Sequence, residues 1–246
     1  LVRMAVAKAR LIEPLKRFLV DLTPSALVVG GGIAGMTSAL NLADQGFEVS
    51  LVEKSERLGG NANHIYRTLN GGDVQSFLND LITGVSNHPL IHIYIRSQAV
   101  DSSGYIGNFT TKLNVGNGTE EEVKHGITIL AIGGREYKPK EYFYGEDERV
   151  CTAVDLEGLL ANHPEKYINC HNAVMIQCVG SRNEEHPYCS RVCCGKSIKN
   201  ALKLKELNPE MNVYILYRDM RTYGLMEDSF REARDKGVVF LRFDPE

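Results

Sequence analysis

"ALVVGGGIAGMTSALNLADQGFEVSLVEK", residues 26–54, decides the fold. It opens on a short apolar, β-branched run, ALVVG (26–30), of the kind buried in a parallel sheet. Glycines follow, then apolar residues at helical spacing, then a second strand-like run, FEVSLVEK (47–54). A β-α-β unit this short requires a right-handed crossover and parallel strands.

The glycines fall as Gly30-x-Gly32-x-x-Gly35 between strand and helix. Gly30 allows the tight turn, Gly32 lets the backbone approach a pyrophosphate, and Gly35 lets the helix sit close to the strand. A diphosphate would rest on the helix N-terminus, where free N–H groups and the macrodipole favour anions. The backbone of Gly30, Gly32, Ile33, Ala34 and Gly35 is therefore the candidate cofactor loop. Glu53 ends the second strand 23 residues after Gly30, with Lys54 beside it, where a carboxylate can accept hydrogen bonds from a ribose diol.

Two further features separate FAD from NAD. Arg57-x-Gly59-Gly60 resembles the pattern of glutathione-reductase-like flavoproteins, in which a basic residue and two glycines lie beside the FAD diphosphate. ILAIGG (129–134) resembles the Ala-Thr-Gly strand end of the same superfamily, with Ala131 and Gly133 in place and Ile132 where the threonine would be. That resemblance implies FAD at the first site. No cysteine follows Gly60, where these reductases keep their redox pair.

Outward from this unit, residues 1–22 read as a helix interrupted at Pro14, packed on this domain or a neighbour. Residues 73–87 read as helix, 91–96 and 105–113 as strands of an antiparallel meander, and HGITILAIGG (125–134) as a buried strand. YKPKEYFYGEDE is polar, aromatic and proline-containing, and marks a linker. Beyond it NAVMIQCVG (172–180), 195–207, NVYILYR (212–218), 225–236 and GVVFLRF (237–243) repeat β-α-β-α-β. The fold class is α/β, two Rossmann-like three-layer units. The domain reading is a lead-in helix over 1–24, an FAD-binding domain over 25–140 and a second Rossmann-like domain over 150–246.

The second unit lacks the glycine fingerprint of a nicotinamide site. CVGSRNEEHPYCSRVCCGKS stands there instead. Ten residues separate Cys178 from Cys189, three more precede Cys193, and Cys194 is adjacent. The thiols gather at a strand's carboxyl end and the next helix's amino end, where α/β sheets bind ligands and helix termini stabilise thiolates. Four thiolates can hold an iron–sulfur cluster or a zinc ion, and a redox disulfide or unconnected buried cysteines are the other readings. His186 could replace one sulfur of a zinc site. Adjacent helical residues point about 100° apart, so Cys193 and Cys194 need an irregular turn, which Gly195 would permit. Cys151 and Cys170 match no motif and read as structural.

CVGSR, YCSRVCCGKSIKNALKLKELNP and YILYRDMRTYG together resemble the A component of heterodisulfide reductase and its relatives in sulfate reducers, as do the lead-in helix, GGGIAGMTSALNLADQGF and EYKPKEYFYG. The resemblance implies a thioredoxin-reductase-like core that binds FAD, with a four-iron, four-sulfur [4Fe-4S] cluster on Cys178, Cys189, Cys193 and Cys194. It implies an oxidoreductase subunit passing electrons between FAD and iron–sulfur clusters. No side chain stands out as a catalytic acid or base. The partners would be other heterodisulfide-reductase-like subunits and iron–sulfur electron carriers, and the family admits a homodimer. Full-length relatives carry ferredoxin-like motifs that are missing here, and the FAD domain lacks its last strands. The chain therefore reads as a piece of a longer protein. The alternatives are a non-catalytic zinc-bearing scaffold and an NAD(P)H-dependent relative of the pyridine nucleotide-disulfide oxidoreductases.

Composition narrows the field. The 246 residues are 43% hydrophobic and 24% charged, ample for cores without crosslinks. A net charge of -3 gives no general attraction to nucleic acid. No apolar run approaches the roughly 18 residues of a membrane span. Basic residues scattered through the first apolar stretch do not make a secretory signal, and six cysteines without a disulfide-scaffold pattern suit the reducing cytoplasm.

Overall fold

A computed structural model describes residues 1–13, 19–116 and 118–244. The first helix, α1 (Val2–Leu11), ends before Pro14, and Ile12 is already extended. Residues 19–22 are not helical, so the helix expected over 1–22 is much shorter; the interruption at Pro14 lies outside the described residues. No residue of α1 is buried, which corrects the expectation that it packs on this domain.

Strand β1 (Ser25–Val29) leads through the glycines into α2 (Ile33–Asp44) and returns as β2 (Glu48–Val52). The pairing is parallel, with Ala26 opposite Val49 and Val28 opposite Leu51. Helix α3 (Val74–Asn87) starts at Asp73, whose carboxylate accepts the N–H groups of Gln75 and Ser76, and buries Leu78, Leu81 and Val85. It carries the chain to β3 (Ile91–Tyr94), which pairs parallel with β2. This corrects the assignment of 91–96 to a meander. An alternating run shows that a strand has two faces but not which neighbour it will join.

The meander consists of β4 (Gln98–Tyr105), β5 (Asn108–Val115) and β6 (Thr119–His125). β4 and all but the end of β6 are exposed, so they carry little hydrophobic periodicity. β7 (Ile127–Leu130) then rejoins the first sheet on the free side of β1, giving the order β3-β2-β1-β7. The second unit opens with α4 (Ala153–Asn162), which the sequence pattern did not reveal; Thr152 and Asp155 form its capping box. β8 (Asn172–Ile176), α5 (Cys193–Leu207), β9 (Asn212–Tyr217), α6 (Met226–Asp235) and β10 (Val239–Arg242) complete a parallel sheet of order β10-β9-β8.

Each sheet has its own core. Val28, Met36, Val49, Leu51 and Leu78 fill the first, and Ile198, Leu204, Met211, Val213 and Ile215 the second. A side chain of this size contributes about 1.5–3 kcal/mol when fully buried. Leu69, which follows the second glycine pair, packs against the second core. Among the described residues no helix is long and apolar enough to cross a membrane.

Candidate functional site

The glycine segments converge. Gly59 N–H donates to Gly31 O at 2.8 Å, and Gly32 and Gly59 form a parallel bridge. Gly30 has φ +115°, and a Cβ there would strike the Ala131 carbonyl; a Cβ on Gly35 would strike the Gly30 carbonyl. Those two glycines are required by backbone contact. Gly32 differs: nothing lies within 4 Å of where its Cβ would stand. That space opens at the N-cap of α2, where the helix presents unpaired N–H groups to an anion. Packing therefore does not demand a glycine here, whereas a diphosphate approaching the backbone would.

Glu53 is only 6% exposed. Its carboxylate accepts Gly31 N–H and Ser55 N–H, both at 2.7 Å. Burial opposes its ionisation, but these N–H groups and the Lys54 charge hold its pKa below the ordinary value. Its first job is thus to fasten the glycine loop to the end of β2, with one lone pair on each oxygen left for a ribose. Gly31, absent from the sequence-level site, belongs to it: a Cβ there would meet Leu58 at 2.6 Å and Glu53 at 2.9 Å. The signal was the unbroken run of three glycines. Lys54, Arg57, Ile132 and Gly133 are exposed, and Asn61 Nδ2 donates to Gly134 O at 2.9 Å, joining the second glycine segment to the end of β7.

The cysteines gather at the carboxyl end of the second sheet. Cys178, just past β8, has φ +64°, and Arg182 and Arg191 in the following loop have φ +59° and +62°. Left-handed non-glycine residues cost about 1–3 kcal/mol each and cluster at functional sites. Gly195 is not among the positive-φ glycines; it lies inside α5, so the distortion expected there is at Arg191 instead.

Two of the four sulfurs accept a hydrogen bond and a third donates one. Cys193 Sγ accepts Ser190 Oγ at 3.6 Å, and the Cys194 thiol donates to Asp219 O at 3.9 Å. Cys189 Sγ accepts Arg191 N–H at 3.3 Å. The adjacent Cys194 thiol pulls the Cys193 pKa well below its ordinary value against burial, and Ser190 and the Cys178 backbone add to the fall. The neighbouring Cys193, together with burial, pushes Cys194 strongly upward. Burial also raises Cys178, as does the Cys193 charge, and Arg182 offsets part of that. The thiols are near enough to feel each other's charge. Among the described residues, however, no three His, Cys, Asp or Glu side chains close around a single ion.

A cavity of about 730 Å³ adjoins this site, lined among others by Cys178, Cys193, Lys196, Tyr137 and Tyr188. Cys151 lines it too, a placement sequence reasoning missed because no spacing links it to the other thiols. Cys170, by contrast, packs on the second core and donates to Asn172 O at 3.3 Å, in keeping with a structural role. His186 stacks edge-on between Tyr137 and Tyr188. The Tyr137 ring stands where a Cβ on Gly180 would be, closing the strand end at which a nicotinamide pyrophosphate would enter.

Two parallel-sheet units, the first with a glycine loop and the second with cysteines at its strand end, define a class, and comparison with known proteins agrees. Residues 28–89 match the family described as NAD(P)-binding Rossmann-like domain. The thioredoxin reductase of T. acidophilum has the same fold, with TM-score 0.55 and 14% identity over 89% of this chain and 63% of that one. So does a bacillithiol disulfide reductase of Bacillus cereus, with TM-score 0.52 and 13% identity over 89% of this chain and 67% of that one. The molecule has the fold of the thioredoxin-reductase-like FAD/NAD(P) oxidoreductases.

Along its whole length, the chain is similar to the A components of heterodisulfide reductases. One of the two such iron–sulfur components of Methanopyrus kandleri is 32% identical over 100% of this chain and 51% of its own length. The corresponding protein of Methanocaldococcus jannaschii is 28% identical with the same coverage. The chain thus spans about half the length of the curated relatives it matches.

Proposed function

We propose that this chain is the flavin core of a heterodisulfide-reductase-A-like oxidoreductase subunit, with residues 25–140 holding FAD and 150–246 a 4Fe–4S cluster. The observation that carries the reading is the thiol set at the strand end: four cysteines around the mouth of the second sheet, with Cys193 and Cys189 accepting O–H and N–H donors and Cys194 donating to Asp219 O. Hydrogen bonds to the sulfurs are among the protein's levers on cluster potential.

In this assignment FAD and the cluster supply the redox chemistry, and the protein supplies position and electrostatics. Gly32, Ile33 and Ala34 present backbone to the diphosphate, Gly59 and Gly60 flank it, and Arg57 adds charge. Glu53 holds the loop and offers its remaining lone pairs to the ribose. Cys178, Cys189, Cys193 and Cys194 are the four ligands. The lowered pKa of Cys193 favours its thiolate form, the form that ligates metal. Other heterodisulfide-reductase-like subunits and iron–sulfur carriers, in the cytoplasm, would exchange electrons with it. Relatives named as subunits of such reductases support this.

Anaerobic reconstitution followed by iron and sulfide assay tests the reading. About four iron per chain is expected, lost in each Cys→Ala variant of the four and kept in Cys151→Ala and Cys170→Ala. One tightly held zinc and no iron would replace it with the scaffold reading.

A further inference from the structure

Arg182 sits in the cysteine loop with a left-handed backbone, and its side chain is one-fifth exposed. Arg182 Nη2 donates to Asp219 Oδ2 at 2.6 Å. The loop is pinned beneath it, because Arg218 Nη1 donates to the Arg182 carbonyl at 2.6 Å and Arg182 N–H donates to Tyr188 O at 3.1 Å. The pair lies beside the cysteines: the Cys194 thiol donates to Asp219 O at 3.9 Å, and Ser181 N–H, next to Arg182, donates to Cys178 O at 3.1 Å. Arg182 Nη1 is buried and has no hydrogen-bond partner.

A buried donor on a permanent cation is costly to leave without an acceptor. Here the loop backbone and Asp219 fix the guanidinium in place, so it cannot turn to water. The acceptor it lacks is anionic, and the neighbouring sulfur is the ligand at which an anionic group would begin. Asp219 is the counterweight. It shares its charge with Arg182 and, at 3.9 Å, with Arg242.

We infer that Arg182 is a positioning residue whose buried guanidinium donates to the cluster at Cys178 and raises its reduction potential, with Asp219 moderating the effect. This rests on the cluster assignment above. A reduced cluster carries one more negative charge than an oxidised one, so a fixed cation favours the reduced form. Removing Arg182 must lower the potential, and removing the Asp219 charge must raise it. A purely structural role for the pair would not move the two in opposite directions.

The test is an EPR-monitored redox titration of the anaerobically reconstituted full chain, with iron assayed in parallel. In Arg182→Met the reduced-to-oxidised ratio at a fixed potential should fall at least tenfold, which for a one-electron couple is about 59 mV. In Asp219→Asn it should rise, and Arg182→Lys should lie between wild type and Arg182→Met. Should Arg182→Met fail to hold iron, the Lys and Asn variants decide alone. Normal iron with unmoved potentials, or both charge variants shifting the same way, overturns the role of Arg182 and leaves the cluster standing. A wild-type chain that assembles no cluster overturns both.

Discussion

Glu157 and Lys199 hold the two units together, and breaking that pair should be expensive. Glu157 lies in α4 and is 5% exposed. Its Oε1 accepts Lys199 Nζ at 2.6 Å and Tyr66 N–H at 2.8 Å. Lys199, in α5, also donates to Arg67 O at 2.7 Å. The segment that follows Gly59 and Gly60 is thereby clamped to the helix that begins with Cys193 and Cys194. Glu157→Ala strands a largely buried ammonium and a backbone N–H. Removing one partner of a buried pair costs about 3–5 kcal/mol, and an orphaned N–H about 1–3 kcal/mol. Lys199 keeps Arg67 O, so the low end of each range applies, about 4 kcal/mol in all. With an m-value of about 2–3 kcal/mol/M, the urea midpoint should fall by roughly 1.3–2 M, followed by circular dichroism and, since the chain has 11 tyrosines and no tryptophan, by tyrosine fluorescence. Glu157→Gln, which keeps an acceptor for Tyr66, should lose less. Lys199→Met should be non-additive with Glu157→Ala, because the stranded charge is gone. A loss below about 1 kcal/mol, or strict additivity, would refute the clamp.

Gly32→Val should leave the fold intact and abolish FAD binding, while Gly35→Ala should lower thermal stability as well; flavin titration beside a melting curve separates the two. Glu53 has a lowered pKa, so it stabilises the fold above its ordinary value of 4.5 and that contribution disappears as pH falls through the folded pKa. Acid unfolding of Glu53→Gln, followed by circular dichroism, should be correspondingly less steep in this window. NADH and NADPH should show no low-micromolar binding to the second unit by calorimetry, because Tyr137 covers Gly180; Tyr137→Ala is the variant in which any weak affinity should rise.

The first unit was legible because its requirements are local. A β-branched run, glycines at fixed offsets and an acid at the next strand end each follow from backbone sterics, so residues 26–54 revealed parallel pairing and the cofactor loop together. The cysteine spacing likewise marked the second site, and helix α5 emerged within two residues of its expected start. The placement of residues 91–94 beside β2 could not be read locally, since alternation is the same in both sheets. The exposed strands β4 and β6 bury too little to leave a pattern. Cys151, Arg182 and the Glu157–Lys199 clamp were invisible for a different reason: each acts across a long sequence separation, on a partner that only folding brings near. Sequence by itself determined the chemistry available at two strand ends. Tertiary structure decided which charges and donors face that chemistry, because burial and electrostatics depend on distance in space.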